Sequence, residues 1–254
     1  MASKKKDAAV TSLRFFGRPL PGVEPGECPG KLIVLEGTDG SGRSTQIALL
    51  TEWLESQGFA VQTMGLRRSL LLADNIDDLI AHNVITRTTL ALMYATDFYD
   101  SMENVIIPGM RAGSVLLADR YVYTLIARAV VRGLDRAFVE KIYEHALVPD
   151  LTFRLELSPQ IAFEREFRKA QAISYWESGR DMNLAPDLYD SFIKYQTMVK
   201  TQFDRMAKRY EFVNVAADAS IAQVNLQLRR RIASLLGIRG TAFRPSGALA
   251  HLLR

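Results

Sequence analysis

Apolar residues follow two alternating rhythms along the chain. Short runs that stay largely apolar have the length of buried strands: KLIVLE (31–36), AVQTM (60–64), SVLLADR (114–120), DLTFRLEL (150–157) and EFVNVAA (211–217). Between them, apolar positions recur at helical intervals. In STQIALLTEWLESQG (44–58), Ile47, Leu50 and Leu54 share a face and Gly58 closes the stretch. Helices are predicted near 70–83, 87–108, 121–132, 135–146, 159–170 and 187–209. A last helix carries Ile221, Val224, Leu228, Ile232 and Leu235 at i, i+3, i+7, i+11 and i+14. A polar stretch, QAISYWESGRDMNLAP (171–186), lies ahead of the long 187–209 helix.

Strands alternating with helices imply right-handed crossovers and a five-stranded parallel sheet with helices on both faces, a three-layer α/β fold. That pattern spans 31–237. Residues 1–30 read as a flexible N-terminal tail, opened by Lys4, Lys5 and Lys6 and interrupted by Pro19, Pro21, Pro25 and Pro29. Residues 238–254 read as a C-terminal tail after Gly237. On such sheets ligands bind at the carboxyl ends of the strands, so the residues just after each strand are the candidate site.

Composition narrows the partners. The chain has 254 residues, 48% hydrophobic and 24% charged, with mean hydropathy near zero, the make-up of one sizeable soluble domain. No apolar run approaches the ~20 residues of a membrane span, and residues 1–30 lack the apolar core of a secretory signal. A net charge of +4 suits an anionic small substrate or arginine-lined phosphate pockets better than a nucleic-acid surface. The single cysteine, Cys28, makes no internal disulfide or Cys-based zinc site and reads as an exposed thiol in a reducing cytoplasm. His82, His145 and His251 show no ligand spacing.

The first strand runs straight into LIVLEGTDGSGRSTQ (32–46), which carries G-x-x-x-x-G-[KR]-S as Gly37, Gly42, Arg43 and Ser44. Glycines let successive N–H groups turn inward around a phosphate, and the helix from Ser44 aims its positive dipole end at the same place. The Ser44 hydroxyl suits Mg²⁺. The required context, strand before and helix after, is met. Where phosphate loops carry Lys, Arg43 stands: a planar, bulkier, permanently charged fork. Two readings stand at this point, a working phosphate site with an unusual cation and a nucleotide site weakened by it.

A second candidate closes the third strand. In SVLLADRY, Asp119 is a carboxylate at a strand's carboxyl end, suited to holding Mg²⁺ through water, and Arg120 suits an acceptor phosphate.

With LIVLEGTDGSGRSTQ and VLLADRYVYT on one chain, supported by GLD (133–135), VPDLTFRLELSP and AKRYEFVNVAA, residues 31 to 236 resemble the thymidylate kinases among the P-loop nucleoside monophosphate kinases. The resemblance implies a P-loop NTPase fold and transfer of phosphate from MgATP to a nucleoside monophosphate, dTMP by default. It implies that Gly37, Thr38, Asp39, Gly40, Ser41, Gly42, Arg43, Ser44 and Thr45 hold the ATP phosphates. Asp39 would touch the acceptor sugar or metal-bound waters, and Asp119 and Arg120 would handle Mg²⁺ and the acceptor phosphate. It implies a lid near 168–186 with Arg165, Arg168, Lys169 and Arg180 completing the site, and a homodimer packed through the 87–108 helix.

The sequence departs from the family at the acceptor end. GLRRS stands where an Arg-Glu-Pro segment is usual, leaving Arg67 or Arg68 as the phosphate contact. Met93 and Asp97 stand for the aromatic and the Arg that contact the base, with Tyr94 or Phe98 as alternative stacking partners, and Tyr121 follows Arg120. A carboxylate at Asp97 favours a base edge that presents donors. RAVV (128–131) replaces a Tyr-Gln-Gly segment. Kinases for another monophosphate, and a nucleotide-binding protein without turnover, are the alternatives. A GTPase switch lacks its Asn-Lys-x-Asp and Asp-x-x-Gly signatures here.

Overall fold

A computed structural model describes residues 14–23, 28–69, 71–82, 85–170, 173–243, 245 and 249–250. The five predicted strands are present as β1 (Lys31–Gly37), β2 (Val61–Gly65), β3 (Val115–Asp119), β4 (Leu151–Glu156) and β5 (Val213–Ala216). All pair in parallel, in the order β2-β3-β1-β4-β5. Burial on both faces explains their unbroken apolar runs. Leu32, Val34, Leu116 and Ala118 feed one core cluster, and Ile33, Leu35, Val115 and Leu117 feed the other.

The helices are α1 (Arg43–Ser56), α2 (Ala73–Ala81), α3 (Arg87–Ser101), α4 (Ile107–Arg111), α5 (Val122–Val131), α6 (Arg136–Ile142), α7 (Pro159–Ala170), α8 (Leu188–Arg209) and α9 (Ile221–Leu236). Most of each stripe read from sequence faces inward: Ile47, Leu50 and Leu54 of α1 and Val224, Leu228 and Ile232 of α9 are buried in the second cluster, Leu235 is partly buried against it, and Ile221, at the first turn of α9, stays exposed. The predicted helix 87–108 instead runs as α3, a π turn over Met102–Ile106, and α4. Pro108 has no N–H to give an α-helical bond, which accounts for the widened turn before it. Helix α6 is shorter than predicted; the Asp135 side chain caps it by accepting from the Phe138 N–H at 2.8 Å.

The described parts of both predicted tails pack on the domain. Phe15 forms an antiparallel bridge with Leu147, and Phe16 stands edge-on to Tyr123 and Tyr210. Cys28, expected to be exposed, is buried at 5% exposure, its thiol side chain in the same cluster as Val23. The sequence signalled proline and glycine there but not the aromatic anchors ahead of them. At the other end Ile238 and Phe243 pack on the second cluster, and the Arg229 guanidinium lies over the Phe243 ring. Lys4, Lys5, Lys6, Pro25 and His251 lie outside the described residues. Among the described residues no helix is long and apolar enough to cross a membrane.

Candidate active site

The connections after β1 and β3 leave in opposite directions, and between those strands an open sheet has its natural crevice. Leu35 pairs with Asp119, so the glycine loop and the Asp119-Arg120 segment emerge side by side. They face one cleft of about 400 Å³. The loop's path needs glycine. Gly40 has φ 74°, and a Cβ on it would meet the Ala162 carbonyl at 2.8 Å. A Cβ on Gly37 would meet Ser41 Oγ at 2.7 Å and the Leu155 carbonyl at 2.8 Å. Asp39, Gly40, Ser41, Gly42, Arg43, Ser44 and Thr45 line the cleft, with the α1 N-terminus opening into it.

Arg43 does not reach outward. Its Nη1 donates to the carbonyls of Gly37 (2.8 Å) and Thr38 (2.6 Å) and to Ser41 Oγ (2.9 Å). Its Nε donates to Asp119 Oδ1 at 2.8 Å. The fork of a guanidinium makes that set of bonds possible; a lysine has one nitrogen for them. Arg43 thus braces its own loop and ties it to β3. Ser44 Oγ donates to the second Asp119 oxygen at 2.7 Å. One hydroxyl and one carboxylate, both hard oxygen donors, fit Mg²⁺ that takes its remaining ligands from phosphates and water. Among the described residues no cluster of three or more His, Cys, Asp or Glu offers another metal site. Burial pushes the Asp119 carboxyl up, but Arg43, the Ser44 bond and Arg120 outweigh it, and the net shift is downward.

Asp39 is the hub of the other half. Its Oδ1 accepts from Arg120 Nη2, both oxygens accept from Arg128 Nη2 at 3.1–3.2 Å, and Gln196 Nε2 of α8 donates at 3.1 Å. Burial would raise its pKa; Arg120, Arg128 and Arg43 together hold it far below the usual carboxylate range. Arg120, with φ 74°, adopts a backbone conformation that side chains other than glycine rarely take, as does Arg67 with φ 56°. Glu36, at the end of β1, is fully buried. Its Oε1 accepts from the N–H groups of Tyr121 and Thr124, and its Oε2 from the Thr124 hydroxyl at 2.5 Å, so it caps the start of α5.

The structure brings Arg67 and Arg68 to the cleft, together with Tyr94, Arg165 and Lys169. Five sequence expectations fare differently. Asp97 is buried and accepts from the backbone N–H groups of Arg67 (2.8 Å) and Ser69 (3.1 Å), so it pins the strained Arg67 turn and lines neither the cleft nor the apolar pocket beside it. Met93 lines neither the cleft nor the apolar pocket beside it; Tyr94, one helical step round, lines both. Tyr121 is fully buried, its hydroxyl donating to the Leu147 carbonyl at 3.0 Å. Arg168 points to solvent with its side chain 81% exposed, because α7 turns Arg165 and Lys169, four apart, toward the cleft. Arg180 donates to the Pro186 carbonyl at 2.6 Å within its own turn.

Sequence reasoning passed over Arg128, Arg132, Glu36 and Gln196. For the arginines a signal existed: Arg120, Thr124, Arg128 and Arg132 recur every fourth residue, a polar line that begins just before the otherwise apolar α5, runs along it and ends just after it.

A glycine cradle, a helix N-terminus and a hydroxyl–carboxylate pair at a sheet's switch point define an α/β protein of the P-loop NTPase class. The thymidylate kinase family model matches residues 35–227. "Probable thymidylate kinase 2" of Saccharolobus solfataricus is 35% identical over 202 residues, covering 79% of this chain and 94% of that protein. "Thymidylate kinase" of Caldicellulosiruptor saccharolyticus is 31% identical over 82% of this chain and 98% of its own length. "Probable thymidylate kinase" of Thermococcus kodakarensis is 29% identical over 81% and 98%. The chain belongs to the thymidylate kinase family. It is accordingly a phosphotransferase enzyme of the nucleoside monophosphate kinase class.

Proposed function

We propose that the protein transfers the terminal phosphoryl group of ATP, bound with Mg²⁺, to dTMP, giving dTDP and ADP. The observation that carries this reading is the meeting of the glycine loop, Ser44–Asp119 and Arg120 at one cleft that leads to a second, apolar pocket. Phosphate oxygen is already a nucleophile, so the chain's task is alignment and charge neutralisation. The loop N–H groups and the α1 N-terminus bind the donor phosphates. Ser44 and Asp119 would hold Mg²⁺, which supplies neutralisation of phosphate charge. Arg120, fixed by Asp39, faces the acceptor phosphate, with Arg67 and Arg68 across the cleft. Arg165 and Lys169 on α7 add positive charge, and the segment about 168–186 acts as a lid within a catalytic domain of 31–237. Asp97, spent on backbone N–H groups, leaves no carboxylate to favour a donor-presenting base, which supports a keto base such as thymine. A homodimer through α3 and a cytoplasmic setting accompany the proposal.

One observation favours a second reading, nucleotide binding without turnover: the Arg43 guanidinium is committed to Gly37, Thr38, Ser41 and Asp119. ADP release from ATP and Mg²⁺ across a panel of ribo- and deoxyribonucleoside monophosphates decides between them. Turnover greatest with dTMP supports the first reading. Turnover greatest with another base reassigns the acceptor. Silence across the panel alongside measurable ATP binding leaves the second.

A further inference from the structure

Beside the phosphate cleft lies a smaller, mainly apolar pocket of about 40 Å³, walled by Leu90, Ala91, Leu125, Ala129, Tyr143 and Trp176. Two residues line both spaces, Tyr94 and Arg128. A nucleotide with its phosphate at Arg120 and its base in the apolar pocket passes between them.

The charged side chains of the small pocket are all of one sign. No Asp, Glu, Asn or Gln lines it; its charged groups are Arg87, Arg128 and Arg132. Arg132 is fully engaged: Nε and Nη2 on Asp181, Nη1 on the Tyr195 hydroxyl at 2.6 Å, Nη2 also on the Trp176 carbonyl at 2.7 Å. Its guanidinium also lies 4.9 Å from the Tyr195 ring centre and 5.3 Å from that of Trp176. Both terminal nitrogens of Arg87 donate to carbonyls, of Arg132 and Asp181. Arg128 differs. Among the described residues only its Nη2 is held, by the two Asp39 oxygens. That anchor fixes the plane of the fork without using its other N–H groups.

From this we infer that Arg128 selects the acceptor nucleoside, donating from its remaining N–H groups to a base edge that presents acceptors, the keto edge of a pyrimidine such as thymine or uracil. The inference rests on the nucleoside monophosphate kinase reading above. A 4-amino pyrimidine turns a donor toward Arg128, itself a donor, and loses the bond that a keto oxygen would accept, so it is disfavoured. Asp39 carries the selection back to the phosphate loop, because the carboxylate that orients Arg128 also orients Arg120.

The test uses kinetics with dTMP, dUMP and dCMP, and calorimetric binding of the uncharged nucleosides thymidine and deoxycytidine, for wild type, Arg128→Lys and Arg128→Met. Lys keeps a charge opposite Asp39 and loses the fork, which guards against a variant that merely misfolds. The expected result is a fall of roughly 10- to 100-fold in the dTMP:dCMP ratio of kcat/KM in both variants, with thymidine affinity lost and deoxycytidine affinity little changed. An equal loss across all three monophosphates with thymidine binding intact would make Arg128 a phosphate contact and overturn the inference. So would an unchanged ratio. If wild type turns over none of the panel, the kinase reading fails while the nucleoside titrations still judge Arg128.

Discussion

The two ends of the cleft are built from different materials. At the glycine-loop end the backbone shapes the site: glycine conformations, a helix N-terminus and the register that sets Leu35 opposite Asp119. At the other end side chains shape it, through Arg120 and Arg128 gathered on Asp39. A backbone site tolerates change in the side chain that accompanies it only if that side chain still serves the loop. Arg43 meets this condition by bracing the loop carbonyls from within. A side-chain site holds together only while its charges balance, and here one carboxylate faces two arginines.

The comparison breaks most sharply at Arg43. Arg43→Ala removes four hydrogen bonds that shape the loop and secure Asp119. Steady-state kinetics of ADP formation with saturating acceptor should show kcat/KM for ATP down by about 10³-fold, with the fold retained by circular dichroism. Arg43→Lys should recover part of that loss, since one ammonium replaces the charge but not the fork. A lysine variant faster than wild type would instead mark Arg43 as an impairment, and would mean that the brace is not needed for turnover.

The second break falls at Asp39. Asp39→Asn leaves Arg120 and Arg128 buried together without their shared carboxylate. The expected cost is about 3 kcal/mol in denaturant unfolding. The pH dependence carries the sign. The folded-state pKa of Asp39 is depressed, so the stability it contributes is present above the unfolded carboxylate value of about 3.9 and is lost as pH falls through the folded value. Wild type should therefore lose more stability on acidification than Asp39→Asn, and parallel pH curves would show that the hub does not titrate.

This contrast also explains what the sequence disclosed. Five strands and the long helices were legible because each depends on local periodicity, and the phosphate end was legible because its glycines and Ser44 sit within one continuous stretch. The acceptor end was not, because its partners are far apart along the chain: Arg120 lies 81 residues from Asp39, Arg128 lies 89 and Gln196 lies 157. Asp97 shows how this misleads. Its placement on a helix facing the site suggested a base contact, yet the carboxylate serves two N–H groups of the turn at Arg67, a demand that no pattern on α3 announces. Met93 and Tyr94 differ by one helical step, and only Tyr94 lies on the face of α3 turned to the cleft and the pocket.

Glu36 joins the two ends, and it gives the smallest expected effect. It closes β1 immediately before the glycine loop, and its side chain caps the helix that carries the arginine line. Burial raises its carboxyl pKa; the Thr124 bond, Arg120 and Arg43 offset only part of that rise. For an acid with a raised folded pKa, stability is fully present below the unfolded pKa and is lost as pH rises through the folded one. That trend is opposite to the one at Asp39. Glu36→Gln keeps the Oε1 acceptor for the Tyr121 and Thr124 N–H groups, turns the Thr124 hydroxyl into an acceptor, and removes the buried charge. Its stability relative to wild type should accordingly improve as pH rises above the unfolded carboxyl value of about 4.3, by about 1 kcal/mol or less, when thermal unfolding of the two is followed side by side. A difference that stays flat with pH would mean that the carboxyl does not titrate in this range. A difference that worsens toward neutral pH would mean that the charge itself, held by Arg120 and Arg43, is what couples the loop to the arginine line.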